Sequence, residues 1–110
     1  MTNVVITGGA GYIGSAILQA NRGASGVSIR VFDNLFWNQG PLVYPMLRKR
    51  EGYAFHRQDV LEWRDSLKRA IASADIIVPL AALVGAPLCD KHPELAYKLN
   101  YEWFEQLLNY

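Results

Sequence analysis

The run Thr7-Gly8-Gly9-Ala10-Gly11-Tyr12-Ile13-Gly14 follows directly on the apolar residues Val4-Val5-Ile6. No other stretch limits the possible folds of this chain as tightly. A short apolar, β-branched run reads as a buried strand, and the glycines after it force a tight turn. Apolar residues then recur at helical spacing, so the turn opens into a helix. The first N–H groups of that helix have no intrahelical partners, and the positive end of its dipole points the same way. Such a turn accepts phosphate, and between a strand and a helix it suits the pyrophosphate of a dinucleotide. Gly8 fits the tight turn. Gly11 lets the backbone approach the phosphates where a Cβ would collide. Gly14 lets the helix lie close against the sheet, and Tyr12 and Ile13 supply amides to the same place.

A second strand, Val27-Ser28-Ile29-Arg30-Val31-Phe32, ends at Asp33. That is about 20 residues beyond the last glycine, the distance at which a ribose-binding acid is expected. A carboxylate there accepts from the adenosine ribose hydroxyls and repels a 2′-phosphate, which points to NAD rather than NADP. Asn34 and Leu35 follow it, with no arginine to receive such a phosphate.

The pattern alternates along the chain. Strands are expected over residues 3–7, 27–33, 53–56 and 76–78. Helices are expected over 11–19, with Ile13, Ile17 and Leu18 on one face, and over 42–50, interrupted near Pro45. Two more are expected over 62–72, with Leu67, Ala70 and Ile71 inward, and from Pro93 to about Leu108. Packing candidates in the last are Leu95, Leu99, Trp103, Leu107 and Leu108. Residues 36–40, including Trp37, and 85–92 read as loops, and His56 reads as a strand residue rather than a catalytic base. Alternation of this kind implies an α/β fold: a Rossmann-type doubly wound parallel sheet of about four strands in the order 3-2-1-4.

With these residues in place, the chain resembles the extended short-chain dehydrogenase/reductase family, the NAD-dependent epimerases and dehydratases of nucleotide sugars. Those proteins carry a TGxxGxxG turn, as Thr7 through Gly14 do, and often continue with aspartate-asparagine-leucine after the second strand, similar to Asp33-Asn34-Leu35. The resemblance assigns Asp59 and Val60 to the adenine. It assigns the backbone of Leu80, Ala81 and Ala82 to the nicotinamide-side ribose. Val84-Gly85, Pro87-Leu88-Cys89, Pro93, Ala96 and Asn100 are similar to the epimerase-like branch. One departure is Pro79, where relatives often have histidine or another non-proline residue. A proline cannot donate to a sheet ladder, so it is expected at the strand's very end.

The second departure concerns catalysis. The family's reactive pair is a tyrosine with a lysine four residues later. Here Tyr44 and Tyr53 are followed at that spacing by Arg48 and Arg57, Tyr97 by Tyr101, Tyr101 by Glu105 and Tyr12 by Ala16, and Tyr110 is last. Arginine does not replace that lysine. No catalytic residue is therefore assigned. The 110 residues read as one NAD-binding half-domain, the N-terminal part of a nucleotide-sugar epimerase or dehydratase, inactive alone. The alternative is a non-catalytic dinucleotide-sensing or interaction module of the same fold. A third reading is a chain complemented by a separate C-terminal subunit. A nucleotide-sugar substrate is expected only when the missing half is supplied.

The net charge of +1 gives no electrostatic case for nucleic acid, and Arg48-Lys49-Arg50 reads as a solvated helix end. No run is long enough to span a membrane, and the N-terminus leads straight into a strand, so a cytoplasmic location is expected. Cys89, His56 and His92 lack metal-ligand spacing, and no metal is expected. With half of the residues hydrophobic, a core is available. The fourth strand would be a bare parallel edge, so a homo-oligomer paired through that edge is expected. Light scattering at high concentration tests this, and a clean monomer contradicts it.

Overall fold

The computed structural model describes residues 1–9, 11–21, 25–35, 53–83 and 85–110. The helix expected over 42–50, Trp37 and the basic run at 48–50 lie outside these residues. The chain divides into two compact units, Met1–Leu80 and Ala81–Tyr110.

The first unit is a parallel sheet in the order β3-β2-β1-β4. Its strands are β1 (Thr2–Thr7), β2 (Val27–Asp33), β3 (Tyr53–Arg57) and β4 (Ile76–Pro79). The expected order is therefore the observed one. Helix α1 (Tyr12–Ala20) joins β1 to β2, and α2 (Asp65–Ala72) joins β3 to β4. The two crossovers run in opposite directions across the sheet. Right-handed connections thus put the two helices on opposite faces, which is the doubly wound arrangement.

Register decides which side chains meet each helix. Ile6 lies beside Val31 on one side and Val78 on the other, so these three share one face. On that face Ile6, Ile29, Val31 and Leu35 form a buried cluster with Leu18 of α1, and Val4, Ile17, Phe55, Val78 and Leu80 pack around it. Each fully buried aliphatic side chain contributes about 1.5–3 kcal/mol. Thr7 and Phe32 alternate to the other face. Leu67, Ala70 and Ile71 of α2 are buried, as their spacing predicts.

Several boundaries differ from expectation. Ile13 is 59% exposed and does not share the buried face of Leu18. The helix expected over 62–72 is broken, because Trp63 takes a left-handed conformation (φ 47°). A 3-10 turn, Val60–Glu62, precedes that break, and α2 begins only at Asp65. Asp59 sets this turn, its Oδ1 accepting from the Leu61 N–H at 3.0 Å. Pro79 closes β4 as expected. Leu80 N–H, one residue on, donates to the Thr7 carbonyl at 2.8 Å, so by alternation the position of proline's missing N–H faces away from β1. Among the described residues β4 pairs with β1 alone.

The second unit is helical. Residues 86–91, expected as loop, form α3 (Ala86–Lys91), with Pro87 in the first turn, where proline costs no hydrogen bond. Helices α4 (Pro93–Tyr97) and α5 (Trp103–Leu108) flank a π-helical turn, Lys98–Glu102. The predicted single helix is thus one helical run with a wide turn at its centre. Trp103 is buried as expected, whereas Leu108 is 71% exposed. No helix among the described residues is long and apolar enough to cross a membrane.

Two predictions follow from this packing. A Cβ added at Gly14 would stand 2.4 Å from Gly9 Cα and 2.5 Å from the Gly9 carbonyl oxygen, and backbone cannot step aside as a side-chain tip does. Gly14→Ala should cost about 2 kcal/mol or more. Thermal unfolding followed by circular dichroism should show a fall in Tm of roughly 10 °C. An unchanged Tm would contradict the contact. The second concerns His56, whose ring stacks on its cross-strand partner Phe32 at 4.5 Å, the planes 9° apart. Burial, and next the charge of Arg30, holds the imidazole below its ordinary pKa of 6.5. The unfolded chain therefore takes up this proton at higher pH than the folded one. Stability rises with pH across the window from the lowered folded value up to 6.5, and is lost as pH falls through it. His56→Phe keeps the stack and removes the titration, so its Tm should depend less on pH in that window. Parallel Tm curves for the two proteins would count against this account.

Candidate functional site

The carboxyl ends of the four strands bring the predicted site residues of the first unit into one row. Beyond the ladder, each junction is fastened by a backbone hydrogen bond. Gly8 N–H donates to the Phe32 carbonyl at 2.7 Å, and Gln58 N–H to the Asp33 carbonyl at 3.1 Å. With the Leu80–Thr7 bond, these set Gly8, Asp33, Asp59 and Leu80 at or beside neighbouring strand ends. A crevice at the carboxyl ends of such a sheet is where ligands of doubly wound folds bind.

At the centre of the row is the turn from β1 into α1. Gly8 has φ 74°, the left-handed region that glycine enters without penalty. Gly11 N–H then donates to the Gly8 carbonyl at 3.1 Å, and Ser15 N–H to the Gly11 carbonyl at 2.9 Å, which starts the helix. Gly11 is the N-cap, and no side chain caps the helix. The amides of Tyr12, Ile13 and Gly14 thus open α1 with the positive end of its dipole toward the strand ends.

The glycines are required for different reasons. Gly14 lies on the backbone of Gly9, so its close contact is with the turn rather than the sheet itself. Gly9 is a requirement that the motif reading passed over. A Cβ there would stand 2.5 Å from Val31 Cγ1, so the turn can lie on β2 only without a side chain at this position. Its signal in the sequence is its place in the Gly8-Gly9 pair. Gly11 is different again. Its backbone (φ −75°, ψ −175°) is open to any residue, and an added Cβ would meet only the Gly8 carbonyl oxygen, at 3.3 Å. Gly11 therefore meets one tight backbone contact, where Gly9 and Gly14 would meet an overlap.

Asp33 ends β2 with its side chain almost fully buried, 7% exposed. Its Oδ1 accepts from the Leu35 N–H at 2.7 Å, which fixes the carboxylate in place and uses one of its several acceptor positions. Leu35 is held at φ 57°, a conformation rare for leucine, and its buried side chain joins the cluster under α1. This kink leaves Asn34 exposed at the strand end. Asp59 is half-buried and caps the 3-10 turn. Val60 is 3% exposed, so any part it plays in a site falls to its backbone. Ala81 and Ala82 follow Leu80 directly and open the second unit.

Comparison with known proteins agrees with this geometry. A sequence profile described as the NAD dependent epimerase/dehydratase family matches residues 4–110. A dTDP-glucose 4,6-dehydratase of Streptomyces niveus is 32% identical over 84 residues, covering 72% of this chain and 25% of the dehydratase. Among solved structures, the UDP-glucuronic acid 4-epimerase of Bacillus cereus, in complex with UDP-glucuronic acid and NAD, superposes with a TM-score of 0.83 at 25% identity. That match covers 96% of this chain and 35% of the epimerase. The UDP-N-acetylglucosamine 4-epimerase of Methanobrevibacter ruminantium M1, in complex with UDP-N-acetylmuramic acid, gives 0.81 at 26% identity, over 97% and 33% of the two chains. The chain thus spans about a quarter of the dehydratase and about a third of the epimerases. Sheet order, glycine turn and strand-end acids stand together over a profile match that omits only residues 1–3, and this chain belongs to the NAD dependent epimerase/dehydratase family.

Proposed function

We propose that this chain binds NAD across the carboxyl ends of its strands and forms the cofactor-binding part of a nucleotide-sugar epimerase or dehydratase. The observation that carries the reading is Gly11. It is the N-cap of a helix that no side chain caps, its conformation suits any residue, and among the described residues an added Cβ would meet the Gly8 carbonyl oxygen alone, at 3.3 Å. A pyrophosphate lying on the amides of Tyr12, Ile13 and Gly14 supplies a stronger reason than that contact does, because it needs the backbone bare at that point. Gly8 shapes the turn below it, and Gly14 brings the helix start down onto it.

Asp33 accepts from the adenosine ribose hydroxyls, held in orientation by the Leu35 N–H, with Asn34 beside it. Asp59 and the Val60 backbone receive the adenine. Leu80, Ala81 and Ala82 line the nicotinamide-side ribose. When bound, NAD supplies the hydride acceptor that a sugar oxidation needs. The chain's residues bind and orient it. The 110 residues hold no tyrosine with a lysine four positions on, so no group here takes the hydroxyl proton. This chain alone should not turn over a UDP- or dTDP-sugar, and NADH formation from one would contradict that.

Calorimetric titration tests the binding. NAD should bind, and NADP should bind more than roughly 10-fold less tightly, because its 2′-phosphate meets the Asp33 carboxylate. Gly11→Ala should weaken NAD by roughly 10-fold, since its Cβ takes the ligand's space. It should lower Tm far less than Gly14→Ala does. Equal NAD affinity in Gly11→Ala and the parent chain would overturn the reading.

A further inference from the structure

Among the described residues, Leu35 and Trp63 alone have positive φ without being glycine. Each lies just past an acid of the strand-end row, Leu35 two residues beyond Asp33 and Trp63 four beyond Asp59. Such conformations persist only where the surroundings over-determine them, and they gather at functional positions. Burial of the side chain and the bond to Asp33 hold Leu35. The turn that ends at Trp63 (φ 47°, ψ 48°) is held differently. Within it, Glu62 N–H donates to the Asp59 carbonyl at 3.1 Å and Trp63 N–H to the Val60 carbonyl at 3.2 Å.

Side chains close the base of this turn. Gln58, one residue beyond β3, reaches across it, and its Nε2 donates to Ser66 Oγ in the first turn of α2 at 2.6 Å. The bond is partly buried and spans eight residues of chain. Gln58 N–H is fixed at the same time on the Asp33 carbonyl. Gln58 thus ties together the end of β2, the start of α2 and the turn that carries Asp59. Its Oε1 is buried and makes no hydrogen bond among the described residues, so Ser66 is the carboxamide's one anchor there. All of these residues belong to the first unit.

We infer that Gln58 is a positioning residue for recognition of the nucleotide base, acting through its clamp on Ser66. This rests on the NAD reading above, in which Asp59 and the Val60 backbone receive the adenine. Asp59 spends one acceptor position on the Leu61 N–H and keeps others, and adenine carries an amino group that can donate to them. The clamp draws the two ends of the turn together and so fixes Asp59 and Val60 beside Asp33. The glycine turn and the Asp33 carboxylate have their own fastenings and do not need it.

The test measures by calorimetry the affinities of ADP and of inosine diphosphate, which has a carbonyl oxygen where adenine has its amino group. The parent chain should prefer ADP by roughly 10-fold. Gln58→Ala and Ser66→Ala remove the clamp from its two ends. Each should cut that preference by roughly 3- to 10-fold, the range for one lost hydrogen bond, with inosine diphosphate affinity kept within about twofold. The double variant should cut it no further than either single change, because both break one contact. An equal loss of both nucleotides would make the clamp a part of the fold alone and would overturn the proposal. So would an unchanged preference in either variant, or effects that add in the double one. A parent chain that binds both nucleotides equally also overturns it, while leaving the glycine turn's part in the NAD reading intact. If the parent binds neither, the NAD reading itself fails, and base recognition with it. Amide hydrogen exchange at Leu61 then decides the clamp: unchanged exchange in both single variants removes it, and faster exchange in both upholds Gln58 as the residue that fixes the turn at Asp59.

Discussion

Gly14 rests directly on the backbone of Gly9, and Gly9 in turn rests on Val31 of β2. This three-layer contact governs the rest of the first unit. It sets how near α1 starts to the strand ends, and so where the helix amides and the dipole point. A methyl group at either glycine would lift the turn, because the neighbouring atoms are main chain at one and a packed β-branched side chain at the other. The helix then lies low enough for Leu18 to reach Ile6, Ile29 and Val31 in the cluster beneath it. Packing and ligand geometry therefore depend on the same two missing side chains.

Sheet register carries that placement sideways. Parallel pairing in the order β3-β2-β1-β4 brings all four carboxyl ends to one edge, and backbone bonds just past the strands hold the loops there. Asp33 is fixed by its own loop through Leu35, whose strained conformation is held by the side chain's burial. Asp59 arrives in the row because Gln58 bonds to Asp33. Gly8, Asp33, Asp59 and Leu80 are far apart in sequence, and the sheet assembles them.

Much of this was legible in the sequence, for identifiable reasons. The strands are apolar runs bounded by turn residues, and Leu67, Ala70 and Ile71 have a clear helical period. The glycine spacing and Asp33 mark the crevice because dinucleotide geometry requires them at those intervals. Other features had no local signal. Trp63 in a left-handed conformation breaks the stretch that reads as one helix over 62–72, after a 3-10 turn that Asp59 caps. Ile13 has the right spacing for a core position but stands too near the helix start to face the cluster. Pro87 read as a loop residue although a helix's first turn accepts it. The π turn Lys98–Glu102 keeps a helical pattern in sequence, so nothing local marks it.

The central claim is that the opening of α1 is a phosphate-binding start left bare for NAD. Backbone amide NMR of the full chain during titration with NAD tests it most directly. The account predicts that the largest shifts fall on Gly11, Tyr12, Ile13 and Gly14, with a second group at Asp33 through Leu35. Shifts absent from the α1 opening, or confined to the helical second unit, would contradict it.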